Sequence, residues 1–211
     1  MRGQGRRLAA FDFDGTLARR DTLMPFLVRA TSVAKVTAAL AAQAPSWVRD
    51  RSDRDGPKAR VIERLLAGDD PARLDQLGRR YATDLTRLLR PEMLERVAWH
   101  RAEGHELVIV SASLRTYLEP LAAALGFDHV IAVELEVGPD GRLTGNLAGP
   151  NVRGPEKAIR LRAWLGHREP EAMWAYGDSS GDVELLAMAD HPTWVGKRGR
   201  ASSNSLRSVP S

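Results

Sequence analysis

The sequence predicts an α/β fold: a three-layer, doubly wound parallel sheet with a small α-helical insert placed directly after the first strand. Three observations carry this. From residue 91 onward, short apolar runs alternate with helical stretches, as expected of successive βαβ units. The run Leu107-Val108-Ile109-Val110 is continuously apolar, which suits a parallel strand covered on both faces. Between residues 20 and 90 the pattern is helical throughout, with no strand alternation. The expected division is an α/β core of residues 8–19 and 91–195, a helical insert of residues 20–90, and flexible basic tails at 1–7 and 196–211.

Taken in order, Leu8 to Phe13 reads as a strand that runs into Asp12 and Asp14, with Gly15 as the turn after it. The insert holds helical stretches over 22–43, 57–67 and 71–90. The polar segment 49–56 reads as a linker, and Asp69 or Asp70 before Pro71 reads as an N-cap with proline in the first turn. Pro91 to Glu103 then reads as a helix stopped by Gly104, followed by the strand Leu107–Val110 and a helix over 114–125. A strand at His129–Val133 leads to a hairpin of Glu134–Val137 against Arg142–Leu143, turning at Pro139-Asp140-Gly141. Helix 155–165, strand Ala172–Tyr176, helix 181–189 and strand Thr193–Val195 complete the pattern.

Composition removes several function classes. The 211 residues include no cysteine, which excludes disulfides, thiolate metal sites and a cysteine nucleophile. The net charge is +4, but seven positive charges and no acid lie in residues 1–7 and 196–211, so residues 8–195 carry −3. The basic balance therefore belongs to the chain ends and does not call for nucleic acid as partner; it leaves room for peripheral contact with an anionic membrane. The basic start is not followed by an apolar core of signal length. The apolar stretch 22–48 is interrupted by Pro25, Arg29, Lys35 and Pro45, so no membrane span is expected. A soluble, cytoplasmic protein is the expectation.

The chemistry gathers at strand ends. Asp12 and Asp14 close the first strand, Ser111 the second, and Asp178 follows Tyr176, with Asp182 one helical turn beyond. In an open parallel sheet ligands bind at the carboxyl edge, so these residues converge although distant in sequence. Clustered carboxylates repel, and a hard divalent cation with oxygen ligands, Mg²⁺ above all, relieves that repulsion. An anion that also meets the metal, such as a phosphate, is the natural substrate. Ser111 with its following amides supplies donors, and Lys157 at a helix start supplies positive charge. No phosphate-binding loop of the Gly-x-x-x-x-Gly-Lys-Ser/Thr kind is present.

Asp12-Phe13-Asp14-Gly15-Thr16, Ser111-Ala112-Ser113, Lys157 and Gly177-Asp178-Ser179-Ser180-Gly181-Asp182 resemble, in order and spacing, the four motifs of the haloacid dehalogenase (HAD) superfamily. The small helical insert after the first motif is similar to the cap of its phosphoserine-phosphatase-like branch (subfamily IB). Leu143-Thr144-Gly145, Gly149 and then Lys157 also resemble that branch. The resemblance implies a Rossmann-like core and a Mg²⁺-dependent phosphatase working through an aspartyl-phosphate. It implies Asp12 as nucleophile and Asp14 as general acid and then base. Ser111, the Ala112 amide and Lys157 would bind the phosphoryl group. Asp12, Asp178 and the Asp14 carbonyl would hold the metal, with Asp182 positioning Lys157 or a metal-bound water.

Some residues depart from the branch. Ser111-Ala112-Ser113 stands where phosphoserine phosphatases carry Ser-Gly-Gly, Asp21 where they carry a glutamate for the substrate amine, and Gly181 where an asparagine is common. Ser111-Ala112-Ser113 together with Gly177-Asp178-Ser179 is also similar to a related group of capped phosphatases, some acting on phosphatidylglycerophosphate or other glycerol phosphates. Two readings follow: hydrolysis of a small phosphorylated metabolite, or of a lipid or glycerol phosphate at the membrane surface. Blander roles stand beside these. Asp21 reads as an N-cap for the helix from Thr22, Ser111 as an N-cap, and Asp182 as a first-turn helix acid. Arg54, Lys58 and Arg60 are candidates for a substrate carboxylate or second phosphate, and the five histidines show no metal-ligand spacing.

Overall fold

The computed structural model describes residues 6–49 and 55–196. Five parallel strands form the central sheet: β1 (Arg7–Phe11), β2 (Glu106–Leu114), β3 (His129–Val133), β6 (Ala172–Gly177) and β7 (His191–Trp194), in the order β3-β2-β1-β6-β7. The chain steps outward from β1 in one direction through β2 and β3, and in the other through β6 and β7. That reversal makes a switch point at β1, where a crevice opens beyond the strand ends. Register fixes what meets there: Phe11 pairs with Tyr176 on one side and with Ile109 on the other.

The sheet is the core. Leu8, Ala9, Ala10, Phe11, Leu107, Val108, Ile109 and Val110 are all fully buried, as their continuous apolar runs require. A buried residue of Phe11 size contributes on the order of 2 kcal/mol through removal of its surface from water. Helices α5 (Pro91–Ala102), α6 (Arg115–Leu125), α7 (Pro155–Leu165) and α8 (Val183–Ala187) connect these strands. A separate two-stranded antiparallel hairpin, β4 (Leu135–Val137) and β5 (Leu143–Leu147), docks on the helical insert, where the Gly68 amide donates to the Leu143 carbonyl at 2.8 Å.

The insert comprises α1 (Leu23–Ala30), α2 (Val33–Arg49), α3 (Asp55–Leu66) and α4 (Pro71–Leu85). Of the two candidate caps, Asp70 acts at α4, its side chain accepting from the Ala72 amide at 2.9 Å. The apolar residues Leu23, Phe26, Leu27, Ala30, Val36 and Ala39 of α1 and α2 are buried in the core. Among the described residues no helix is long and apolar enough to cross a membrane. Where α4 lies against α6, a side chain at Gly78 would place Cβ 2.4 Å from the Thr116 carbonyl, so the close approach requires glycine.

Several boundaries differ from the sequence reading. The expected helix 22–43 breaks at Thr31 and Ser32: the Thr31 hydroxyl turns back to the Leu27 carbonyl at 2.8 Å, and the Ser32 hydroxyl accepts from the Lys35 amide at 3.2 Å to start α2 anew. The expected helix 71–90 stops at Leu85 and gives way to a 3₁₀ turn over Thr86–Leu88. Pro91 disfavours a helical residue before it, and Arg90 is extended, its amide donating to the Leu17 carbonyl at 2.9 Å. With the Arg19 amide on the Leu88 carbonyl at 3.0 Å, the two strands leading into and out of the insert are tied together. β2 runs on through Ser111 to Leu114, β5 is longer than expected, and a 3₁₀ turn over Ser180–Asp182 precedes α8. The linker residues 50–54, Arg54 with them, and the tail residues 1–5 and 197–211 lie outside the described residues.

Candidate active site

Asp12 follows the last residue of β1, its amide held by the Tyr176 carbonyl at 2.9 Å. That bond extends the β1–β6 ladder by one step and aims the carboxylate into the crevice. Lys157 comes from the first turn of α7, which begins with Gly154 and Pro155; the Gly154 amide donates to the Gly181 carbonyl at 2.9 Å, joining the α7 start to the loop after β6. The Lys157 ammonium thereby reaches two acids, donating to Asp12 Oδ1 at 2.6 Å and to Asp182 Oδ1 at 2.6 Å. All three side chains are buried.

Asp182 has both oxygens engaged. Its Oδ2 accepts from the Asp178 amide at 3.2 Å, the Ser179 amide at 3.0 Å and the Ser179 hydroxyl at 3.0 Å. A carboxylate so occupied holds Lys157 and shapes the loop that carries Asp178. Asp12, Asp178 and Asp182 each offer an oxygen, all within 4.8 Å of one another, an acidic group able to hold a divalent metal. Gly15 makes room for it: with φ of 87°, its missing Cβ would lie 2.2 Å from Asp178 Oδ2. An all-oxygen donor set beside a glycine cradle fits a hard cation such as Mg²⁺.

The second cluster is built around Asp14. Its Oδ1 accepts from the Thr22 hydroxyl at 2.7 Å and its Oδ2 from the Ser113 hydroxyl at 2.5 Å. Ser113 lies where the β2–β3 register shifts between Val110 and Leu114, an irregularity that re-aims side chains at the strand end. There the Ser111 hydroxyl accepts from the Ser113 amide at 3.1 Å, and Ser111 is buried while Ala112 is half-buried.

Burial dominates the protonation of these groups. It pushes Asp12 up, with the Lys157 ammonium pulling the other way. It works against the charge on Lys157, but the carboxylates of Asp12 and Asp182 outweigh it and hold the ammonium above the ordinary lysine range. Burial also pushes Asp14 up to about 7, against the hydrogen bonds from Ser113 and Thr22 and with help from the charges of Asp21 and Asp12. A carboxyl that titrates near neutrality is suited to give and take a proton.

Of the residues singled out in the sequence, Asp12, Lys157, Asp178 and Asp182 are brought together, and Asp14 is linked to the Ser111–Ser113 segment. Asp21 is exposed, its Oδ2 accepting from the Met24 amide at 3.1 Å, and its charge is felt at Asp14. Arg60 is exposed and donates to Gln43 Oε1 at 2.7 Å. Nothing in the sequence marks Thr22 as a partner of Asp14, Tyr117 behind it, or Ser113 as a hydrogen-bond donor; three hydroxyls without periodic spacing carry no such signal.

Comparison with known proteins agrees with this arrangement. The sequence profile of the haloacid dehalogenase-like hydrolases matches residues 9–187. Protein CicA of Caulobacter vibrioides is 38% identical over 200 residues, which are 92% of this chain and 87% of that protein. Phosphoserine phosphatase SerB2 of Mycobacterium tuberculosis is 30% identical over 186 residues, 87% of this chain but 42% of that longer protein. Among solved structures, a protein of unknown function from Bordetella pertussis Tohama I superposes with a TM-score of 0.74 at 27% identity, covering 89% of each chain. With most of its length matched, its parallel sheet and its acidic crevice, this chain belongs to the haloacid dehalogenase-like hydrolase family.

Proposed function

We propose that this hydrolase is a Mg²⁺-dependent phosphatase that cleaves a small phosphomonoester, phosphoserine-like in size, through an aspartyl-phosphate on Asp12. The observation that carries the reading is the buried Lys157 ammonium bridging Asp12 and Asp182 at 2.6 Å each, beside the Asp178 carboxylate. A lysine in that position offsets part of the burial cost of a charge on Asp12 and offers its remaining charge to an incoming phosphoryl group.

An Asp12 oxygen attacks phosphorus, the bond from phosphorus to the leaving oxygen breaks, and its electron pair stays on that oxygen. Asp14 gives its proton to the departing alkoxide, which leaves as the alcohol. The Asp14 carboxylate then takes a proton from a water that attacks the aspartyl-phosphate. The bond between phosphorus and Asp12 breaks, returning the carboxylate and releasing inorganic phosphate. Ser111 and the Ala112 amide hold the phosphoryl oxygens, and Lys157 offsets their charge. Asp12, Asp178 and the Asp14 carbonyl would hold Mg²⁺, which when bound adds positive charge against the carboxylates and the phosphoryl oxygens. Asp182 positions Lys157. Asp21 stands at the rim as a contact for the leaving group.

The test is phosphate release with Mg²⁺ across phosphoserine, glycerol 3-phosphate, p-nitrophenyl phosphate and phosphatidylglycerophosphate in vesicles. The expected result is turnover of soluble monoesters that Asp12→Asn abolishes. Activity surviving in Asp12→Asn would remove the nucleophile and with it this reading. A preference for the vesicle substrate would move the leaving group to a lipid while leaving the chemistry unchanged.

A further inference from the structure

Asp14 is gripped from two directions. The Thr22 hydroxyl, from the segment that leads into the helical insert, donates to Oδ1 at 2.7 Å; the Ser113 hydroxyl, from the core strand β2, donates to Oδ2 at 2.5 Å. Thr22 and Ser113 are buried. The Thr22 hydroxyl is also 3.2 Å from the Tyr117 hydroxyl on α6. Since the only hydroxyl hydrogen of Thr22 goes to Asp14, Tyr117 is the donor in that pair. The Thr22 carbonyl in turn accepts from the Tyr81 hydroxyl on α4 at 2.8 Å.

The rings behind these hydroxyls form one block. Phe26 of α1 lies 5.3 Å from Tyr81 and 4.9 Å from Tyr117, and Tyr81 and Tyr117 meet edge to face at 5.3 Å. Thr22 is thus fixed at its side chain by the core and at its backbone by the insert. A carboxyl group held at one oxygen swings about its terminal bond; held at both, its plane is set. Each Asp14 oxygen still has a lone pair directed elsewhere, available for a proton or for the leaving oxygen.

We propose that Thr22 and Ser113 are positioning residues for proton transfer by Asp14, with Tyr117 and Tyr81 fixing Thr22 so that the clamp is complete only when the insert is seated on the core. This rests on the phosphatase reading above and deepens it. A set carboxyl plane matters when the leaving oxygen needs a proton. An alkoxide must be protonated as it departs, whereas p-nitrophenolate departs without help. Misplacing the acid therefore slows alkyl monoesters selectively, while a general loosening of the site slows both kinds. The ratio kcat/KM reports events up to departure of the leaving group, so the later hydrolysis of the aspartyl-phosphate does not enter the comparison.

The experiment measures kcat/KM of the full chain with Mg²⁺ on glycerol 3-phosphate or phosphoserine, whichever is turned over, and on p-nitrophenyl phosphate. Thr22→Val and Ser113→Ala should each lower the alkyl value by roughly tenfold or more, part of the hundredfold or greater contribution of general acid–base catalysis, and leave the aryl value within about threefold. Thr22→Ser, which keeps the hydroxyl, should restore the alkyl rate. Equal losses on both substrates, no loss on either, or failure of Thr22→Ser to restore would each overturn the proposal. If Thr22→Val does not fold, Ser113→Ala carries the same comparison on the other oxygen. Asp12→Asn, run alongside, separates the two ideas: activity persisting there defeats the phosphatase reading, whereas a silent Asp12→Asn with unselective Thr22 and Ser113 variants defeats this inference alone.

Discussion

Lys157 and Asp182 form a buried ion pair, Nζ and Oδ1 2.6 Å apart, although 25 residues separate them and each comes from a different connection of the sheet. The pair is locked from behind, because Asp182 Oδ2 is taken by the Asp178 amide, the Ser179 amide and the Ser179 hydroxyl. Lys157 therefore cannot follow Asp12 without moving the loop that carries Asp178, and the nucleophile and the metal-holding segment are set as one unit.

Removing the cation should expose what it offsets. Lys157→Met leaves the Asp12 and Asp182 carboxylates buried together with no ammonium between them. A broken buried pair costs about 3 to 5 kcal/mol, so urea unfolding in the absence of divalent metal should show a loss of that order. Saturating Mg²⁺ should recover part of it, since an ion that binds only the folded chain stabilises it. Phosphatase activity should fall by roughly a hundredfold or more, as loss of an electrostatic stabiliser implies. A stability loss under about 1 kcal/mol would mean that the pair is not charged in the folded protein.

The Gly15 position gives a sharper test of the metal site. Gly15→Ala adds a Cβ 2.2 Å from Asp178 Oδ2 at a φ of 87°. The left-handed backbone alone costs roughly 1 to 2 kcal/mol for a residue with a side chain. The contact must also push the Asp178 carboxylate away. A Mg²⁺ titration of activity should then show half-saturation moved upward by about tenfold or more, the scale on which misplaced ligands and their supports weaken metal sites. An unchanged Mg²⁺ requirement in a folded Gly15→Ala protein would place Asp178 outside the metal's reach.

A contact is legible in the sequence only when it acts over a short range or repeats with a period. The apolar runs at Leu8–Phe11 and Leu107–Val110 announce their strands because burial on both faces leaves no polar position. Asp12, Asp14 and Asp178 are legible because strand ends in a parallel sheet share one edge. The Ser113–Asp14 bond spans 99 residues and the Thr22–Tyr117 contact 95, and neither leaves a local trace. The helix break at Thr31 was hidden because apolar spacing continues across it, while the interruption comes from two hydroxyls bonding to nearby backbone. The polar Ser111 and Ser113 make β2 read as ending at Val110, although the backbone stays extended and both side chains are buried.

A pairing that sequence spacing did not reveal also sets the acid stability. His100 is fully buried, its Nδ1 2.7 Å from His105 Nδ1 and its Nε2 2.9 Å from the Tyr176 hydroxyl. Burial, with the charges of His105 and Arg96, lowers its pKa to about 3 from the ordinary histidine value of 6.5. Between these values the unfolded chain binds the proton and the folded one does not, so stability is complete above about 6.5 and falls as pH drops toward 3. From pH 7 to pH 5 the loss from this residue should be about 2 kcal/mol. His100→Gln, which carries no titrating ring, should flatten that part of the curve in urea unfolding at the two pH values. An equal slope in wild type and variant would show that His100 takes up its proton in the folded chain as readily as in the unfolded one.

Asp21 separates a structural from a binding role by charge alone. Its Oδ2 accepts from the Met24 amide at 3.1 Å, and it is exposed at the start of the insert. Asp21→Asn retains an oxygen for that amide, and asparagine caps a helix start about as well as aspartate, so the thermal midpoint should hold within the few degrees that ~0.5 kcal/mol represents. The negative charge, however, is gone. If Asp21 meets the amine of the leaving group, KM for phosphoserine should rise several-fold, as loss of a charge-assisted contact implies, while KM for glycerol 3-phosphate should stay the same. The comparison is made at one pH, so any change that Asp21→Asn causes in the neighbouring Asp14 acts on both substrates and cancels. Equal KM values for variant and wild type on phosphoserine would leave Asp21 as a helix cap only and move the search for leaving-group contacts elsewhere on the insert.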